Sequence, residues 1–309
     1  MNEKNAVANV IIIGAGPAGL SAAAWCVELG LKTIIFEKEA ETGGQLLLIF
    51  NPVTNYIGIE TANGRELRDR FARAFEKRKP LTRLSAEIAE IDPVAKSVVT
   101  AAGERFTAHA LIIATGVRRR RLNVPGEDIF KGRGIIESGS NEREKAIGKT
   151  VLIVGGGDAA LENALILADL ASKVYVVHRR PELGARAEFT KNALNHPKIE
   201  FRLETDVSAI KGNDKVETVE LTSKNGELRV EIVLVRIGVE PNTEFLKGKI
   251  ELDNKDYIVV NSNCETSRDG VFAIGDAANP VSPTISTAAG MGATAAKVVF
   301  RSLNGAKAV

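Results

Sequence analysis

The sequence is poor in cysteine, with two among 309 residues, Cys26 and Cys264. They stand far apart, with no Cys-x-x-Cys and no spacing that makes a disulfide framework. That favours a reducing, cytoplasmic setting. Net charge is also small. Lys and Arg number 41 against 39 Asp and Glu, which leaves +2. Composition therefore gives no footprint for nucleic acid or for an anionic membrane. The start, Met1-Asn-Glu-Lys-Asn5, has no charged region leading into a cleavable apolar segment. Ala6–Val27 is uncharged and long enough to raise the question of a membrane span. Its internal Gly-x-Gly-Pro-x-Gly, and its change from β-branched to Ala-rich sequence, read instead as strand, tight turn and helix. No metal site is expected. What remains is a chain with 44% hydrophobic and 26% charged residues, ordinary for a globular protein and long enough for two domains.

The first informative stretch is Val10–Ile13, followed by Gly14-Ala15-Gly16-Pro17-Ala18-Gly19. An apolar β-branched run fits a central parallel strand. In Gly-x-Gly-x-x-Gly the first glycine makes the turn and the second lets backbone approach a pyrophosphate. The third lets the helix lie close to the strand. A helix from Pro17 to about Leu29 then aims its positive end at that phosphate. Thr33–Phe36 is the next strand, with Glu37 and Lys38 at its end. Glu37 lies 23 positions beyond Gly14, where an acid meets a ribose hydroxyl pair. Gly43-Gly44-Gln45-Leu46 and an irregular stretch through Asn55 follow. Glu66–Lys79 reads as a surface helix. Ile88–Ile91, Ser97–Thr100 and Phe106–Ala108 read as a small antiparallel meander. Leu111–Gly116 reads as a buried strand whose Ala114-Thr115-Gly116 end lets backbone pass close to a ligand.

Four consecutive arginines, Arg118–Arg121, follow. A domain crossing is placed here. The run reads either as a solvated linker or as a docking patch for an acidic partner protein.

Val151–Val154 then leads into Gly155-Gly156-Gly157-Asp158-Ala159-Ala160, a second copy of the glycine turn. A helix, Leu161–Leu170, and a strand, Val174–Val177, come next. The strand ends not on an acid but on His178-Arg179-Arg180, with Arg186 beyond. Arg179 lies 24 positions from Gly155, and the reading gives it the place that Glu37 holds in the first unit. Arginines pair with a 2′-phosphate, which an acid would repel. The second unit therefore reads as an NADPH site, with NADH less favoured. Ile199–Leu203, Val216–Ser223 and Leu228–Ile232 read as further strands, with Lys224-Asn225-Gly226 as a hairpin turn. Ile232–Ile237 runs to Gly238, with a return crossing near Pro241. Another strand ends on Gly275-Asp276, and Ser282–Ala296 reads as the last helix.

Together these pieces resemble the low-molecular-weight thioredoxin reductase-like flavoproteins. The matching motifs are Gly14–Gly19, Glu37, Gly44-Gln45-Leu46, Ala114-Thr115-Gly116, Val124–Glu127, Gly132-Arg-Gly134, Gly155–Asp158, His178–Arg180, Ile237-Gly238 and Gly275-Asp276. They run in family order along the chain. The resemblance implies an α/β fold of two Rossmann-like nucleotide-binding domains, three-layer ββα, the second inserted in the first. The expected domains are 1–117 with 243–309 for FAD, and 118–242 for NAD(P)H. It also implies a homodimer whose domains rotate during turnover. By position, Gly14, Gly16, Pro17, Ala18, Gly19, Glu37, Lys38, Gly44, Gln45, Leu46, Asn55, Ala114, Thr115, Gly116, Gly275, Asp276, Thr284 and Ile285 would hold FAD. Gly157, Asp158, Ala159, Ala160, His178, Arg179, Arg180, Arg186, Ile237 and Gly238 would hold NADPH. The start of the last helix would sit against the electron-rich edge of the reduced flavin.

The chain departs from the family at three places. The family's Cys-x-x-Cys-Asp falls on Ser138, Asn141 and Glu142. Serine and asparagine neither form a disulfide nor attack one, so no catalytic residue is assigned: Glu142 reads first as a surface salt-bridging residue and only second as an acid near the flavin face. Pro283-Thr284-Ile285 replaces the family's Arg-Gln-Ala. Gly184 stands where the last arginine of the His-Arg-Arg pattern belongs, and Arg186 is the nearby substitute. Relatives without the cysteine pair include ferredoxin or flavodoxin–NADP reductases, whose C-terminal aromatic extension is not found before Val309. Three functions follow. The chain passes electrons from NADPH through FAD to an external acceptor (ferredoxin, flavodoxin, a quinone or another small molecule). It reduces disulfides directly from the flavin. Or it is a flavin-binding redox sensor without turnover.

Overall fold

The computed structural model describes residues 7–222 and 226–305. Two units divide the chain: Met1–Arg118 with Glu240–Val309, and Arg119–Val239. The crossings between these two units fall at Arg118/Arg119 and Val239/Glu240.

The first unit begins with β1 (Ala8–Ile13), α1 (Pro17–Glu28), β2 (Thr33–Phe36), α2 (Gly64–Glu76) and β3 (Leu81–Arg83). It continues with β4 (Ile88–Asp92), β5 (Ser97–Thr100) and β6 (Arg105–Ile113). β7 (Val117–Arg119) carries the first crossing. The second unit holds β8 (Ile135–Ile136), β9 (Thr150–Val154), α3 (Asp158–Ala168), β10 (Lys173–His178), α4 (Ala187–Leu194) and β11 (Ile199–Leu203). β12 (Val207–Lys211), β13 (Thr218–Leu221), β14 (Glu227–Arg229) and β15 (Ile232–Val235) complete it. β16 (Val239–Pro241) carries the return, and β17 (Val271–Ala273) and α5 (Ile285–Asn304) close the first unit.

In the first unit the sheet order is β3-β2-β1-β6-β5-β4, with β17 on β6. The strands β3, β2, β1, β6 and β17 pair in parallel, while β4 and β5 are antiparallel. Successive residues of β1 point to opposite faces, so its unbroken apolar run serves two cores. Val10 and Ile12 pack with α1, α5 and Ile35. Ile11 and Ile13 pack with Phe36, Ile88, Ile91 and Val98. The layers are helices, parallel sheet and meander.

The second unit repeats the plan. Its sheet order is β11-β10-β9-β15-β8, all parallel. Val151 and Ile153 pack with Leu161, Ala164 and Leu167 of α3. Leu152 and Val154 pack with Val207, Ile210 and Val219 of the β12–β14 meander. The expected α/β class with two ββα units is the one observed.

Several elements differ from the sequence reading. Phe106–Ala108 and Leu111–Ile113 belong to one strand, β6, because its outer half joins the meander and its inner half the parallel core, and the expected strand end at 114–116 lies beyond it. β3, β8, α4 and β12 went unforeseen; β3 is a three-residue edge strand and largely exposed. The strands expected at Val216–Ser223 and Leu228–Ile232 shorten to β13 and β14, and Ile232 begins β15. The expected Lys224-Asn225 turn lies outside the described residues. α5 starts at Ile285 rather than Ser282, because Thr284 is extended and caps it, its hydroxyl accepting from Thr287 N. The start of the chain, 1–6, also lies outside the described residues. Among the described residues, no helix is long and apolar enough to cross a membrane, and no cluster of metal-ligating side chains occurs.

Candidate functional site

In an open parallel sheet, ligands settle beyond the C-terminal strand ends, where the strand order reverses. In the first unit that point lies between β1 and β6. Gly14 N donates to Phe36 O at 2.8 Å as the chain leaves β1. Gly14 has φ +102°, and a Cβ there would lie 2.3 Å from Ala114 O. Only glycine fits a turn pressed against the end of β6. Glu37, 7% exposed, reaches back with Oε2 accepting from Ala15 N at 2.8 Å. Its Oε1 accepts from Glu39 N at 3.0 Å. The acid at the strand end therefore also fixes the glycine turn.

The remaining pieces gather at the same edge. Gly43 N donates to Ala15 O, and Gly44 comes so close to Gly16 that a Cβ would lie 3.0 Å from its Cα. Gln45 Nε2 donates to Val117 O at 2.6 Å. Leu46 is buried with Val53 and Leu67, and Ile285 of α5 packs on them. Gly275 lies against Ala18, where a Cβ would meet the Ala18 methyl at 2.9 Å. Asp276 follows, and burial raises its carboxyl above the ordinary value. Thr115 Oγ1 is buried and finds no hydrogen-bond partner among the described residues. A buried hydroxyl left unpaired is a cost that a ligand at this edge would relieve. Lys38 is exposed near Glu39, and Asn55 is exposed on the irregular stretch. Among the described residues, neither is drawn into the cluster by a contact of its own.

One contributor escaped the sequence reading. Asn242 Nδ2 donates to Thr115 O at 2.8 Å, and Asn242 N donates to Gly116 O at 3.0 Å. It fixes the small-residue stretch that follows β6. Its only sequence signal was its place just after the return crossing.

In the second unit the reversal lies between β9 and β15. Gly155 N donates to Val177 O at 2.9 Å, the counterpart of Gly14 and Phe36. The residue after Val177 is His178, so His178 and not Arg179 holds the place of Glu37. The register agrees, with Ile13 opposite Phe36 and Val154 opposite Val177. The spacing of 24 in place of 23 misassigned this by one residue. The His178 ring lies over Gly156, where a Cβ would be 2.6 Å from it. Burial lowers the imidazole's pKa below its ordinary value, and Arg180 and Arg179 add to the effect. Arg179 and Arg180 are exposed at the strand end.

α3 starts at Asp158 directly after Gly157, so its free N–H groups face the edge. Ala159 is exposed and Ala160 is buried against the sheet. Arg186 is tied to Asp158: its backbone N donates to Oδ1 at 2.7 Å and its Nε to Oδ2 at 2.8 Å. It braces the helix start, and this engages the guanidinium that was expected to replace the missing arginine at 184. Gly238, after Ile237, accepts from Arg120 N at 3.0 Å.

The loop at the cysteine positions is held by polar contacts throughout. Glu142 Oε2 accepts from Glu137 N at 2.7 Å and Ser138 N at 3.0 Å, and Oε1 accepts from Lys145 at 2.7 Å. Burial opposes its charge, but Lys145 and the two N–H groups outweigh it and hold the carboxyl below the ordinary range. Glu142 is thus an ionised anchor and not an acid with a proton to give at neutral pH. Asn141 N donates to Ser138 Oγ, and Gly139 N to Asn163 Oδ1 at 3.0 Å. Asn163, a buried polar residue on α3, is a second contributor the sequence reading missed.

The four-arginine run is mostly engaged internally. Arg118 pairs with Glu240 and Glu244, and Arg121 with Asp128 at 2.6 Å. Arg119 donates to Glu137 O, and Arg120 Nε to Val239 O at 2.9 Å. The linker reading accounts for these contacts.

The residues present fit the two implied groups: the unpaired Thr115 hydroxyl and glycine cradle for FAD, and the α3 start beside exposed arginines for NADPH. Comparisons with known proteins agree. The family profile described as pyridine nucleotide-disulphide oxidoreductase matches residues 8–292. A thioredoxin reductase of Streptomyces coelicolor is 35% identical over 303 residues, covering 94% of this chain and 92% of that protein. The thioredoxin reductase of Bacillus subtilis is 34% identical, covering 97% and 95%. The crystal structure of Lactococcus lactis thioredoxin reductase, in its FR conformation, superposes with a TM-score of 0.83 at 30% identity, covering 95% and 98%. The chain belongs to the pyridine nucleotide-disulphide oxidoreductase family and is an FAD-containing, NAD(P)H-dependent oxidoreductase.

Proposed function

We propose that the protein oxidises NADPH and passes the electrons to an external acceptor, without a redox disulfide of its own. The observation that carries this is the state of its thiols. Ser138 and Asn141 occupy the positions that the resemblance gives to the cysteine pair. The only cysteines, Cys26 and Cys264, are buried and free. Burial pushes the Cys26 thiol up to about 12 and the Cys264 thiol up to about 11. Thiol–disulfide exchange needs an accessible thiolate, and neither residue supplies one.

The chemistry that bound FAD supplies is acceptance of a hydride and release of its electrons. The chain's own part is to bind, orient and discriminate. Gly14, Gly16, Gly44, Thr115 and Asp276 shape the FAD cradle. Arg179 and Arg180 favour the 2′-phosphate of NADPH over NADH. The acceptor classes are ferredoxin, flavodoxin, a quinone or another small molecule. The protein works as a homodimer in a reducing compartment. A second reading is reduction of an external disulfide directly from the flavin, favoured by relatives that carry the name thioredoxin reductase.

The test is anaerobic reduction of the yellow holoprotein by NADPH, followed by reoxidation with each acceptor class and with a disulfide. Fast reoxidation by a one-electron protein or quinone, with no thiol produced, supports the first reading. Thiol production that survives joint Cys26→Ser and Cys264→Ser substitution supports the second. A yellow protein that NADPH does not bleach sinks both.

A further inference from the structure

We propose that Arg236, with Arg119 beside it, forms a second anion subsite in the Arg119–Val239 unit, taking the pyrophosphate of the pyridine dinucleotide. The inference rests on the NADPH reading above and goes beyond the arginines at the end of β10. Arg236 follows β15 at the point where the strand order reverses. Its backbone N donates to Val154 O at 2.7 Å. A Cβ on Gly155 would lie 2.1 Å from its carbonyl oxygen. The side chain therefore springs from beside the glycine turn, where a bound dinucleotide would lay its pyrophosphate.

The charge around it is incomplete. Arg236 Nη2 donates to Glu137 O at 2.7 Å, and Arg119 donates to the same oxygen. Both arginines are half-buried. Among the described residues neither makes an ion pair, whereas Arg118 and Arg121 of the same run do. The nearby carboxylates are largely committed elsewhere. Glu137 pairs with Lys131 at 2.9 Å, and Glu142 pairs with Lys145 at 2.7 Å. Glu137, Glu142 and Glu162 act on Arg236 through their fields alone, as Glu137 and Glu142 do on Arg119, and none forms an ion pair with either arginine among the described residues. Burial, followed by the like charge of Arg119, pushes the Arg236 guanidinium down to about 10.

Two like charges drawn together on one neutral carbonyl, with partial loss of water, are costly unless an anion completes the set. Arg236 spends donors on Val235 O and Glu137 O. A guanidinium has five N–H donors, so others remain for phosphate oxygens. Arg179 and Arg180 stand at the end of β10, on the other side of β9, and suit the 2′-phosphate. The two pairs thus divide the dinucleotide's negative charge between its two phosphate groups. A carboxylate of an acidic acceptor is the rival occupant.

The test uses FAD-loaded holoprotein and calorimetric binding of three probes. NADP⁺ carries both phosphate groups and nicotinamide, 2′-phospho-ADP-ribose lacks nicotinamide, and 2′-AMP lacks the pyrophosphate. Arg236→Gln is expected to weaken the first two about tenfold or more and to leave 2′-AMP within about twofold. Arg236→Lys, which keeps the charge, should recover much of the loss, separating charge from folding. Arg119→Gln should weaken the same two probes by a smaller factor. Arg179→Gln with Arg180→Gln should weaken all three. If Arg236→Gln binds 2′-phospho-ADP-ribose as tightly as the parent, or loses 2′-AMP equally, the subsite is overturned and the NADPH reading stands. If the parent binds none of the probes, the NADPH reading fails and the subsite fails with it.

Discussion

At the first nucleotide edge, the chain leaves β1 at Gly14 and the neighbouring strand ends on Glu37, whose carboxylate turns inward onto Ala15 N. At the second, the chain leaves β9 at Gly155 and the neighbouring strand ends on His178, with Arg179 and Arg180 turned to solvent. The backbone plan is the same, down to the hydrogen bond from the glycine N–H to the last strand carbonyl. The charge is opposite. One edge uses an anion that can bind ribose hydroxyls, and the other presents cations suited to a phosphate. On the function proposed above, a repeated fold supplies two addresses for two nucleotides, and the residues at the strand ends write them.

The most severe way to break the comparison is to damage one glycine turn at a time. Gly14→Val forces a side chain into a left-handed turn, a strain of about 1–3 kcal/mol, and drives it into Ala114 O. The purified protein should lose its yellow colour. Gly155→Val should stay yellow and lose calorimetric binding of NADP⁺. If either variant keeps both ligands, the two-address account is wrong.

Next in size is the address itself. Arg179→Glu with Arg180→Glu should lower kcat/KM for NADPH about 100-fold, equivalent to about 2.7 kcal/mol. The value for NADH should hold or rise. Equal losses for both nucleotides would show that these arginines do not read the 2′-phosphate.

Glu142→Gln has a smaller expected effect. It keeps an acceptor for the Glu137 and Ser138 N–H groups but loses the Lys145 pair, so stability should fall by about 1 kcal/mol. The folded carboxyl titrates below its unfolded value, so its contribution is present above the unfolded pKa. It is lost as pH falls through the folded one. Flavin bleaching by NADPH should keep its rate at neutral pH. A large rate loss without a stability loss would restore Glu142 as an acid.

The smallest effect is at His178. Its pKa is lower folded than unfolded, so unfolding takes up a proton in acid. The contribution of the neutral ring should be complete above the unfolded pKa and should fall as pH drops below it. Thermal melts of His178→Gln should show a weaker acid dependence than the parent. An identical pH dependence would contradict the packed, neutral ring over Gly156.

Much of this architecture was legible because parallel strands and glycine turns leave local marks. Val10–Ile13 and Val151–Val154 are apolar throughout because both faces of each strand are covered. Gly14 and Gly155 are obligatory where a turn presses on a neighbouring strand. The four arginines of the crossing left two readings open, since a run of charge does not show which residues return to meet it. Glu240, Glu244 and Asp128 meet Arg118 and Arg121. β6 read as two pieces, because its burial pattern changes midway where one strand serves two layers. Asn163, Asn242 and Arg236 carried no motif. Their importance comes from backbone groups brought to them across long sequence separations.

The difference between a flavin that must relay electrons through a disulfide and one that must not is a difference in electron capacity. Anaerobic titration of the holoprotein with NADPH, with free thiols counted before and after, reads it directly. A single NADPH per FAD should complete the bleaching, and the thiol count should stay at the two cysteines already free. A second NADPH consumed per FAD, with new thiols appearing, or an absence of bleaching, would contradict the account.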